Sequence, residues 1–576
     1  MRSKGLGILL GLALVAVPAM IQIPAAAGVG DVLVSVGSTS TLFSQNKQNE
    51  PAVTIDPAHT NVVAAGSNDN IDMELCAAGD PTTCPFTADV GGSGIYFSFD
   101  GGITWTQPTY TGLTARHCVG PAACVPAVGP IGTLPWYYEN GLVSDGDPAL
   151  VFGPRPDANG DFSWTNGSRL YYANLTSSFS GAFKGFEAIA VSRTDDVAGA
   201  AAGNQNTWMA PVLASKQSSA DFADKEQIWA DNAESSAHFG NVYVCYAEFR
   251  GSGAAPVIVA RSTDGGDTWS QKQVSPASNV APSRWGRSGC TIRTDSDGAA
   301  YVFWELFQSP FFFSPPEGSL QFVKSTDGGA SWSRPQTVTR VTDSCWFVDP
   351  VTFRCTMDGV AGARDDLASA PSVDIANGAP TGGDATDRIV MTWIDASDGQ
   401  NDEHVMFSTS TNGGATWSPP NEIESDPGDR GYYVAPAISP DGTDVYVVYN
   451  AFTAPFQTNN TSPRPLLAVV LHADVIGGSV GSWTQLHRSV TGDARAASQN
   501  NLVAEFLGDY VYAFATRGGA VAVWNDARDG ANCPAIDAWR DSLRTASPLP
   551  TPAPGTDCPA NFGDTSIYGG SFADPS

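Results

Sequence analysis

The sequence predicts an all-β fold, a β-propeller made of four-stranded antiparallel blades. Three observations lead to this expectation. A short motif rich in Asp and Gly recurs along the 576-residue chain. Each copy follows apolar segments with the alternation of β-strands, and the last unit lacks one strand that the N-terminal segment can supply. N-terminal and C-terminal strands that share one blade would close the ring and protect its edges.

The recurring motif is the nonapeptide "STDGGDTWS", and it predicts a β-hairpin rather than a reactive site. Glycine permits the positive φ that a tight turn needs, and the Asp carboxylate accepts hydrogen bonds from turn amides. The Trp can pack between neighbouring sheets, where a large aromatic side chain buries roughly 150–250 Å². Four copies are recognisable, at Ser98–Thr106, Ser262–Ser270, Ser325–Ser333 and Ser410–Ser418.

Each unit contains four short strands, named a, b, c and d, with the nonapeptide as the c–d hairpin. In one clear unit, "SGCTIRTDSDGAAYVFW" (Ser288–Trp304) supplies strands a and b, and "SLQFVKSTDGGASW" (Ser319–Trp332) supplies strand c and the motif. Alternating β-branched and aromatic residues indicate the strands, and Asp and Gly clusters indicate the turns. The segment "TDSDG" (Thr294–Gly298) has too few acidic positions for a calcium loop of the EF-hand type and is predicted to be a turn.

The count of units predicts seven blades. A last unit, Glu505–Arg528 with Ala535–Leu543, provides three strands, and Asp31–Gly37 is the expected fourth. Six blades, with the last unit as a cap, is the alternative. The six preceding units begin near Glu50, Asp147, Asp224, Ser288, Ser369 and Val434.

Composition and charge limit the classes of partner. Apolar residues make up 42% of the chain and charged residues 15%, which is typical of a packed globular protein. The formal net charge of −29 argues against binding to nucleic acid or to an anionic membrane surface, because both need a basic face. The chain has no H-E-x-x-H or G-x-S-x-G motif, so zinc protease and α/β-hydrolase chemistry are not expected.

The N-terminal segment predicts export. Residues 1–27 combine the basic Arg2 and Lys4, the apolar stretch Leu6–Val17 and a small-residue cleavage site after Ala27, as in a secretory signal peptide. An uncleaved anchor is the alternative, since the apolar stretch is almost long enough to span a bilayer. We therefore expect a secreted or extracytoplasmic protein without a stable membrane anchor after cleavage, with the propeller at 28–545 and a Pro/Gly-rich tail at 546–576.

Ten cysteines fit an oxidising compartment. No Cys or Cys/His group has the spacing of a structural zinc site, so we expect no zinc there. The sequence alone leaves the connectivity open. The pairs we expect are Cys76–Cys84, Cys118–Cys124, Cys345–Cys355 and Cys533–Cys558, with Cys245 and Cys290 able to join consecutive units.

The starts of the innermost strands are the expected site of any chemistry. The long loops are all b–c or d–a connections, such as Ser67–Gly92, Thr109–Gly146 and Thr339–Leu367, and they would share one face of the ring with these starts. Crowded carboxyl groups there suit the acid/base work of glycoside hydrolysis. They could equally hold a calcium ion or cap strand ends. The carboxylates expected to converge are Glu50, Asp147, Asp224 and Asp509.

The repeated motif resembles the Asp-boxes, or BNR repeats, of the sialidase superfamily of β-propellers, over roughly Glu50 to Leu543. This resemblance implies an exo-α-sialidase-like secreted glycosidase that acts on glycans. It also implies a Tyr nucleophile assisted by a Glu, an Asp as acid/base and three arginines that grip a carboxylate bidentately. Tyr510 fits the nucleophile and Glu50 its partner, with Asp147, Asp224 or Asp509 as the acid/base. The expected substrate-binding residues are Arg284, Arg287, Arg430, Arg528, Trp136 and Trp285.

Two functions therefore follow from the sequence. The first is a secreted hydrolase of terminal sialic acid or a related sugar. The second is a non-catalytic Asp-box propeller that binds glycans or proteins through its loop face. The chain has no F-R-I-P motif, which carries the first arginine of the sialidase triad, and "SPRPLL" (Ser462–Leu467) is a poor substitute.

Overall fold

The computed structural model describes Met1 and residues 29–76, 89–119, 122–216, 218–251, 255–277, 285–308 and 317–575. In this part of the chain seven antiparallel blades surround a central axis, which confirms the predicted propeller and its blade count. The predicted signal peptide lies outside the described residues, as does Cys84. Within the described residues, no helix has the length and apolar character needed to cross a bilayer.

Each blade follows chain order from the axis outward. The first has strands Gln48–Ile55, Val63–Asp69 and Ser93–Ser98, with a bridge between Phe97 and Thr106 as the outer edge. The second has Leu142–Pro156, Phe162–Ser178, Ala188–Thr194 and Trp208–Leu213. The third has Asp221–Ala230, Val242–Arg250, Val257–Ser262 and Ser270–Gln273. The fourth has Trp285–Thr294, Ala300–Gln308, Glu317–Ser325 and Gln336–Thr342.

The remaining blades keep this order. The fifth has strands Ser372–Ile375, Ile389–Asp395, His404–Ser410 and Asn421–Glu422. The sixth has Arg430–Ile438, Asp444–Phe452, Pro465–Ile476 and Thr484–Arg488, with short additions at Ser479–Val480 and Gly492–Asp493. Short pairs in the loops are Tyr110–Thr114 with Ala127–Ile131 and Phe347–Val348 with Cys355–Thr356. The helices are Val197–Ala201, Pro534–Ser542 and Pro554–Asp557, with single 3-10 turns at Asn70–Asp72, Tyr138–Asn140, Gln205–Thr207 and Ala494–Ala496.

The seventh blade closes the ring with strands from both chain ends. Tyr512–Thr516, Gly519–Asp526 and Ser566–Ala573 come from the C-terminal part, and Val29–Leu33 pairs antiparallel with Ser566–Ala573 as the fourth strand. The outer strand is thus supplied by the N-terminal segment, as predicted, although it begins and ends earlier than Asp31–Gly37.

The third strand of this blade comes from a different segment than predicted. Ala535–Leu543 was expected to be a strand, but it lies in the helix Pro534–Ser542, which begins with a proline that suits the first turn. Its Ile536 and Trp539 are buried three residues apart, as on one helical face. The strand is instead Ser566–Ala573, from within the segment 546–576 that we expected to be a tail, so the propeller continues almost to the end of the chain.

The Asp-box hairpins have the predicted structural role. In the first box, the Asp100 carboxylate accepts hydrogen bonds from the amides of Ile103 and Thr104, at 3.1 and 2.9 Å. The Trp105 indole donates to the Gly102 carbonyl at 3.1 Å. The hydrogen bond from the amide four residues on recurs at Asp264, Asp327 and Asn412. The boxes therefore stabilise turns on one face of the ring, the Asp-box face, and the long loops lie on the opposite loop face.

The innermost strands are irregular near their starts on the loop face. In the first four blades the pairing register shifts there, as at a β-bulge. Non-glycine residues rarely take positive φ, so three of these bulges contain strained backbone. The bulge residues are Glu50 (φ 56°), Asp147 (φ 52°), Lys225 (φ 59°) and Gly289 (φ 64°).

Between cysteines that are both described, four disulfide bonds form, and each joins a pair named from the sequence. Cys245–Cys290 connects the third blade to the fourth, so it crosses a blade boundary. The others close local loops, as their short sequence separations require. They are Cys118–Cys124, Cys345–Cys355 and Cys533–Cys558.

Candidate functional site at the loop-face end of the channel

Four carboxylates, here called the carboxylate ring, come together with two cations where the innermost strands begin. The ring consists of Glu50, Asp147, Asp224 and Asp509, all expected from the sequence to converge. The bulges bring the first three together, because an extra residue re-aims a side chain that regular pairing would direct into the blade. The cations are Lys225, on the third innermost strand, and Arg364, from the loop before the fifth blade.

Asp509 is the fixed centre of this cluster. Its side chain is fully buried, and one oxygen lies 2.5 Å from both the Lys225 Nζ and an Arg364 nitrogen. The other oxygen accepts from the Arg364 Nε at 2.9 Å. Burial acts to raise the pKa of this carboxyl, but the two cations outweigh burial and hold the pKa well below its usual value. Asp509 therefore stays ionised and is unsuited to donate a proton.

Glu50 and Asp147 form a pair whose pKa values are driven apart. Burial, with the charges of Asp147 and Asp509, raises the Glu50 pKa well above its ordinary value. For Asp147 burial acts in the same direction, but the Lys225 ammonium at 3.3 Å and a hydrogen bond from Glu50 lower the pKa overall. Two interacting carboxyls titrate as a unit, and the opposite pKa shifts make Glu50 the member of the pair that is protonated more readily. Asn68 supports both residues, donating to the Glu50 carboxylate at 2.7 Å and accepting from the Asp147 amide at 2.7 Å.

Asp224 is the most accessible carboxylate of the ring, with 21% of its side chain exposed. Burial raises its pKa, the Lys225 charge lowers it, and the Asp147 charge raises it again, for a net increase. One oxygen accepts the Lys225 backbone amide at 2.7 Å. A carboxyl group with a raised pKa and access to solvent has the properties of a general acid.

Tyr510 lies beside the ring and is half-buried. Its hydroxyl donates to the Pro148 carbonyl at 3.4 Å. Burial and the charges of Asp147, Glu50 and Glu226 raise the phenol pKa well above its ordinary value. The phenol is therefore neutral at rest, and it can act as a nucleophile only when a neighbouring carboxylate takes its proton.

The described arginines expected to bind substrate are engaged elsewhere. Arg430 is buried and paired with Glu403, with its Nε 2.7 Å from a carboxylate oxygen. Arg528 lies 2.6 Å from oxygens of both Asp31 and Asp526. These guanidinium groups are held by partners within the fold, and their assignment to a carboxylate grip stays a prediction. A charged residue in a loop can be identified from sequence, but its partner across the fold cannot.

The remaining expected contacts are only partly described. Trp136 is half-buried, and its indole donates to the Gln205 carbonyl at 2.8 Å, which favours a packing role over a free sugar-stacking surface. Arg284 lies outside the described residues, and the side chains of Trp285 and Arg287 are not described either.

Several residues of the cluster were missed by sequence reasoning. Arg364 lies in the long loop Thr339–Leu367, and no local pattern distinguishes it from the other arginines of the loop face. Lys225 follows Asp224 directly and was overlooked in favour of its neighbour. Glu226 is buried, and neither of its carboxylate oxygens has a hydrogen-bond partner among the described residues. Burial also lowers the Lys47 pKa to about 7, although the Glu50 charge raises it.

The channel has a cavity at each end. A small cavity of about 60 Å³ adjoins the cluster and is lined by Lys225, Glu226, Asp509 and Tyr510 among others. A larger one, about 480 Å³, opens on the Asp-box face between Trp229 and Phe514. We place the candidate site at the smaller cavity, because the acid and base groups meet there. Lys225 and Arg364 already pair with carboxylates of the ring and offset part of the negative charge that would attract a calcium ion.

Comparisons with known proteins agree with the repeat structure. The profile of the BNR/Asp-box repeat matches residues 96–107, which is the first box. No curated protein matches the sequence. The fold is similar at low identity to that of several solved glycosidases. A Hadza microbial sialidase is 14% identical over 70% of this chain and 63% of its own, with a TM-score of 0.38.

Two further structures show the same level of likeness. The intramolecular trans-sialidase from Ruminococcus gnavus, in complex with oseltamivir carboxylate, is 14% identical over 74% of this chain and 94% of its own, with a TM-score of 0.38. The α-L-arabinofuranosidase from Fusarium graminearum, with an iminosugar inhibitor, is 12% identical over 74% and 92%, also with a TM-score of 0.38. Likeness at this level identifies neither substrate nor catalytic residues. The seven blades, their closure and the repeated boxes make this chain an Asp-box (BNR-repeat) β-propeller.

Proposed function

We propose that this protein is an exported, sialidase-like glycoside hydrolase whose site is the carboxylate ring with Tyr510. The observation that carries the proposal is the carboxylate ring, in which the Asp147 pKa is lowered and the Asp224 pKa is raised beside a tyrosine. Glycosidases need one carboxyl group that is protonated and one that is ionised at the same pH, and environments that separate pKa values provide them. The disulfide bonds support export, since they persist in oxidising compartments.

The proposed roles follow from protonation and access. Tyr510 attacks the anomeric carbon while Asp147, the carboxylate whose charge acts most strongly on the phenol, takes the phenol proton. Asp224, partly exposed and with a raised pKa, protonates the leaving oxygen as the glycosidic bond breaks. Arg364 stays on Asp509 but is 19% exposed, so it is the available guanidinium for an acidic sugar such as a sialic acid.

Release of a fluorophore from an α-sialoside by purified Gly28–Ser576 tests this proposal. Tyr510→Phe and Asp147→Asn should each lower turnover by roughly 10²–10⁴-fold, the usual contribution of such groups. Tyr138→Phe and Asp157→Asn are matched controls, because both side chains are exposed and lie outside the ring. Turnover that survives both ring substitutions would move the site elsewhere. Absence of turnover on a panel of α-sialosides and other glycosides, with the protein folded, would refute the hydrolase.

The second candidate is a non-catalytic propeller that binds glycans through the loop face. One observation favours it: aromatic rings form an open shelf near the second and third blades. Phe222 and Phe249 stack at 4.8 Å, and Phe186 beside them is 78% exposed. Such rings can stack on sugar faces without any catalytic group. Calorimetric binding of sialyllactose that is lost in Phe186→Ala but kept in Tyr510→Phe would support this function.

A further inference from the structure

The sixth blade departs from the Asp-box pattern in a way that changes its chemistry. Its c–d hairpin is "LHADVIGGSVGSW" (Leu471–Trp483), where His472 takes the place of the box Ser and Asp474 that of the box Asp. In the other boxes the acidic or amide side chain accepts turn amides. Within the described residues, the Asp474 carboxylate accepts none and lies 3.9 Å from the His472 Nε2. This hairpin has therefore lost the turn-stabilising use of its carboxylate.

Two further carboxylates lie beside these residues on the Asp-box face. Asp444 begins the second strand of the sixth blade, and its oxygen is 3.0 Å from the His472 Nε2. Asp574 follows the last strand of the seventh blade, where its amide donates to the Gly518 carbonyl at 3.1 Å. One donor atom from each of Asp444, His472, Asp474 and Asp574 lies within 4.8 Å of every other. Three carboxylates and an imidazole from two blades thus surround one point.

A buried hydroxyl gives an independent indication that this point holds a ligand. Tyr446 is 1% exposed, and its ring centroid lies 4.9 Å from that of His472. Its hydroxyl has no hydrogen-bond partner among the described residues. A buried hydroxyl left without a partner is costly, and a water bound to a cation in the cluster would provide one.

We propose that Asp444, His472, Asp474 and Asp574 bind one divalent metal ion of the Zn²⁺ class at the junction of the sixth and seventh blades. One imidazole with carboxylate oxygens in a compact, four-donor group suits Zn²⁺ better than Ca²⁺, which takes six to eight oxygen ligands. His472 and Asp444 are buried at 3% and 5% exposure, so the site is built into the fold. Because Asp574 follows the last strand of the seventh blade, which closes the ring, the ion links this blade to the sixth.

The test is Zn²⁺ binding by the full chain after chelation, followed by calorimetry and by thermal unfolding. We expect one equivalent to bind at this site and, at about a hundredfold excess over Kd, the midpoint to rise by about 2–4 °C. His472→Ala should abolish both effects. His404→Ala is the matched control, since His404 lies in a second His/carboxylate group, with Asp398 and Glu422, that is mostly exposed. Saturable binding that His404→Ala removes and His472→Ala retains would overturn the proposal, as would the absence of binding.

A milder substitution guards against misfolding of the buried variant. Asp574→Asn changes a group near the chain end and should weaken Zn²⁺ at least tenfold, while Co²⁺ substitution reports the ligand set by its visible spectrum. A Co²⁺ spectrum typical of one nitrogen and several oxygen ligands supports the site if it changes in Asp574→Asn. An identical spectrum and affinity in wild type and Asp574→Asn would contradict it. Tighter binding of Ca²⁺ than of Zn²⁺ would contradict the assigned metal class.

Discussion

The two faces of the propeller use the same side chain in opposite ways. On the Asp-box face, Asp264 and Asp327 are partners of amides and hydroxyls within four residues of their own position. These hydrogen bonds favour the charged form and lower the pKa of both, to about 2 for Asp327. On the loop face, Glu50 and Asp224 are buried among other carboxylates, and their pKa values rise. Local hydrogen bonds stabilise a charge, whereas burial among like charges penalises it.

This difference shows what each face depends on. A box is complete within one hairpin, so it can be repeated in any blade without regard to the rest of the ring. The carboxylate ring depends on cations from distant parts of the chain: Lys225 and Arg364 are 284 and 145 residues from Asp509. We therefore expect substitutions on the loop face to have larger and more distributed effects than equivalent substitutions on the Asp-box face.

Removal of the Lys225 charge should have the largest effect. Lys225→Met leaves Asp147 and Asp509 with less compensation in a buried site, and breaking such a pair costs about 3–5 kcal/mol of unfolding free energy. Lys272→Met is the control, because the Lys272 ammonium bonds the Ala330 carbonyl at an exposed position between two boxes. Urea unfolding of the two variants measures the difference. Equal losses of unfolding free energy would mean that the loop face depends on contacts between distant residues no more than the Asp-box face does.

The pH dependence of stability should be opposite on the two faces. Glu226 has a pKa raised well above its ordinary value of 4.5, by burial and then by the Asp147 charge. Above pH 4.5 the folded protein retains a proton that the unfolded chain loses, so this residue lowers stability as the pH rises. The slope is at most about 1.4 kcal/mol per pH unit.

Glu226→Gln should therefore remove part of the loss of stability between pH 5 and pH 8. The box aspartates behave in the reverse sense, because their lowered pKa values stabilise the fold above about pH 4 and the benefit disappears as the pH falls through the folded pKa. Urea unfolding at four pH values, with the exposed Glu139→Gln as control, measures both slopes. A Glu226→Gln protein with the wild-type slope would contradict the prediction.

Two glycines with similar backbone angles distinguish the cost of backbone strain from the cost of a steric clash when each is replaced by alanine. Gly508 (φ 85°) and Gly101 (φ 75°) both lie in the left-handed region. A Cβ at Gly508 would lie 2.5 Å from the Glu50 Cγ, whereas a Cβ at Gly101 would have open space. Gly101→Ala should cost about 1 kcal/mol from backbone strain, and Gly508→Ala about 2–4 kcal/mol because it adds overpacking. Thermal unfolding of both compares the faces directly; similar midpoints would show that the ring tolerates displacement of Glu50.

The smallest effect should come from a single box. Asp264→Ala removes acceptors for the Thr268 amide and hydroxyl and should cost about 1 kcal/mol, like the loss of a capping side chain. Asp264→Asn should cost less, since Asn412 occupies the same position in the fourth box and accepts the Thr416 amide at 2.9 Å. Calorimetry of the two variants checks the order. A larger loss in the Asn variant would exclude the hydrogen-bonding explanation.

Much of the fold was predictable because its signals are local. Turn glycines, box aspartates and alternating strands each act within a few residues, so the blade count and the use of an N-terminal strand for closure followed from pattern. The strand assigned to Ala535–Leu543 was wrong because its apolar Ile536, Trp539 and Leu543 recur at helical spacing, which the strand assignment did not take into account. The true strand, Ser566–Ala573, lies beyond two helices, where the unit pattern no longer guides prediction.

The candidate site likewise combines features that local sequence predicts with features that depend on distant residues. The sequence alone placed Glu50, Asp147, Asp224 and Asp509 near the starts of innermost strands, because strand position follows from the repeat. Only the tertiary structure decided which cations meet them and which arginines are occupied elsewhere. Ion pairs form between groups that the ring brings together across its axis, and no local pattern encodes that distance. The sequence specifies the blades, and their closure into a ring determines which charges become partners.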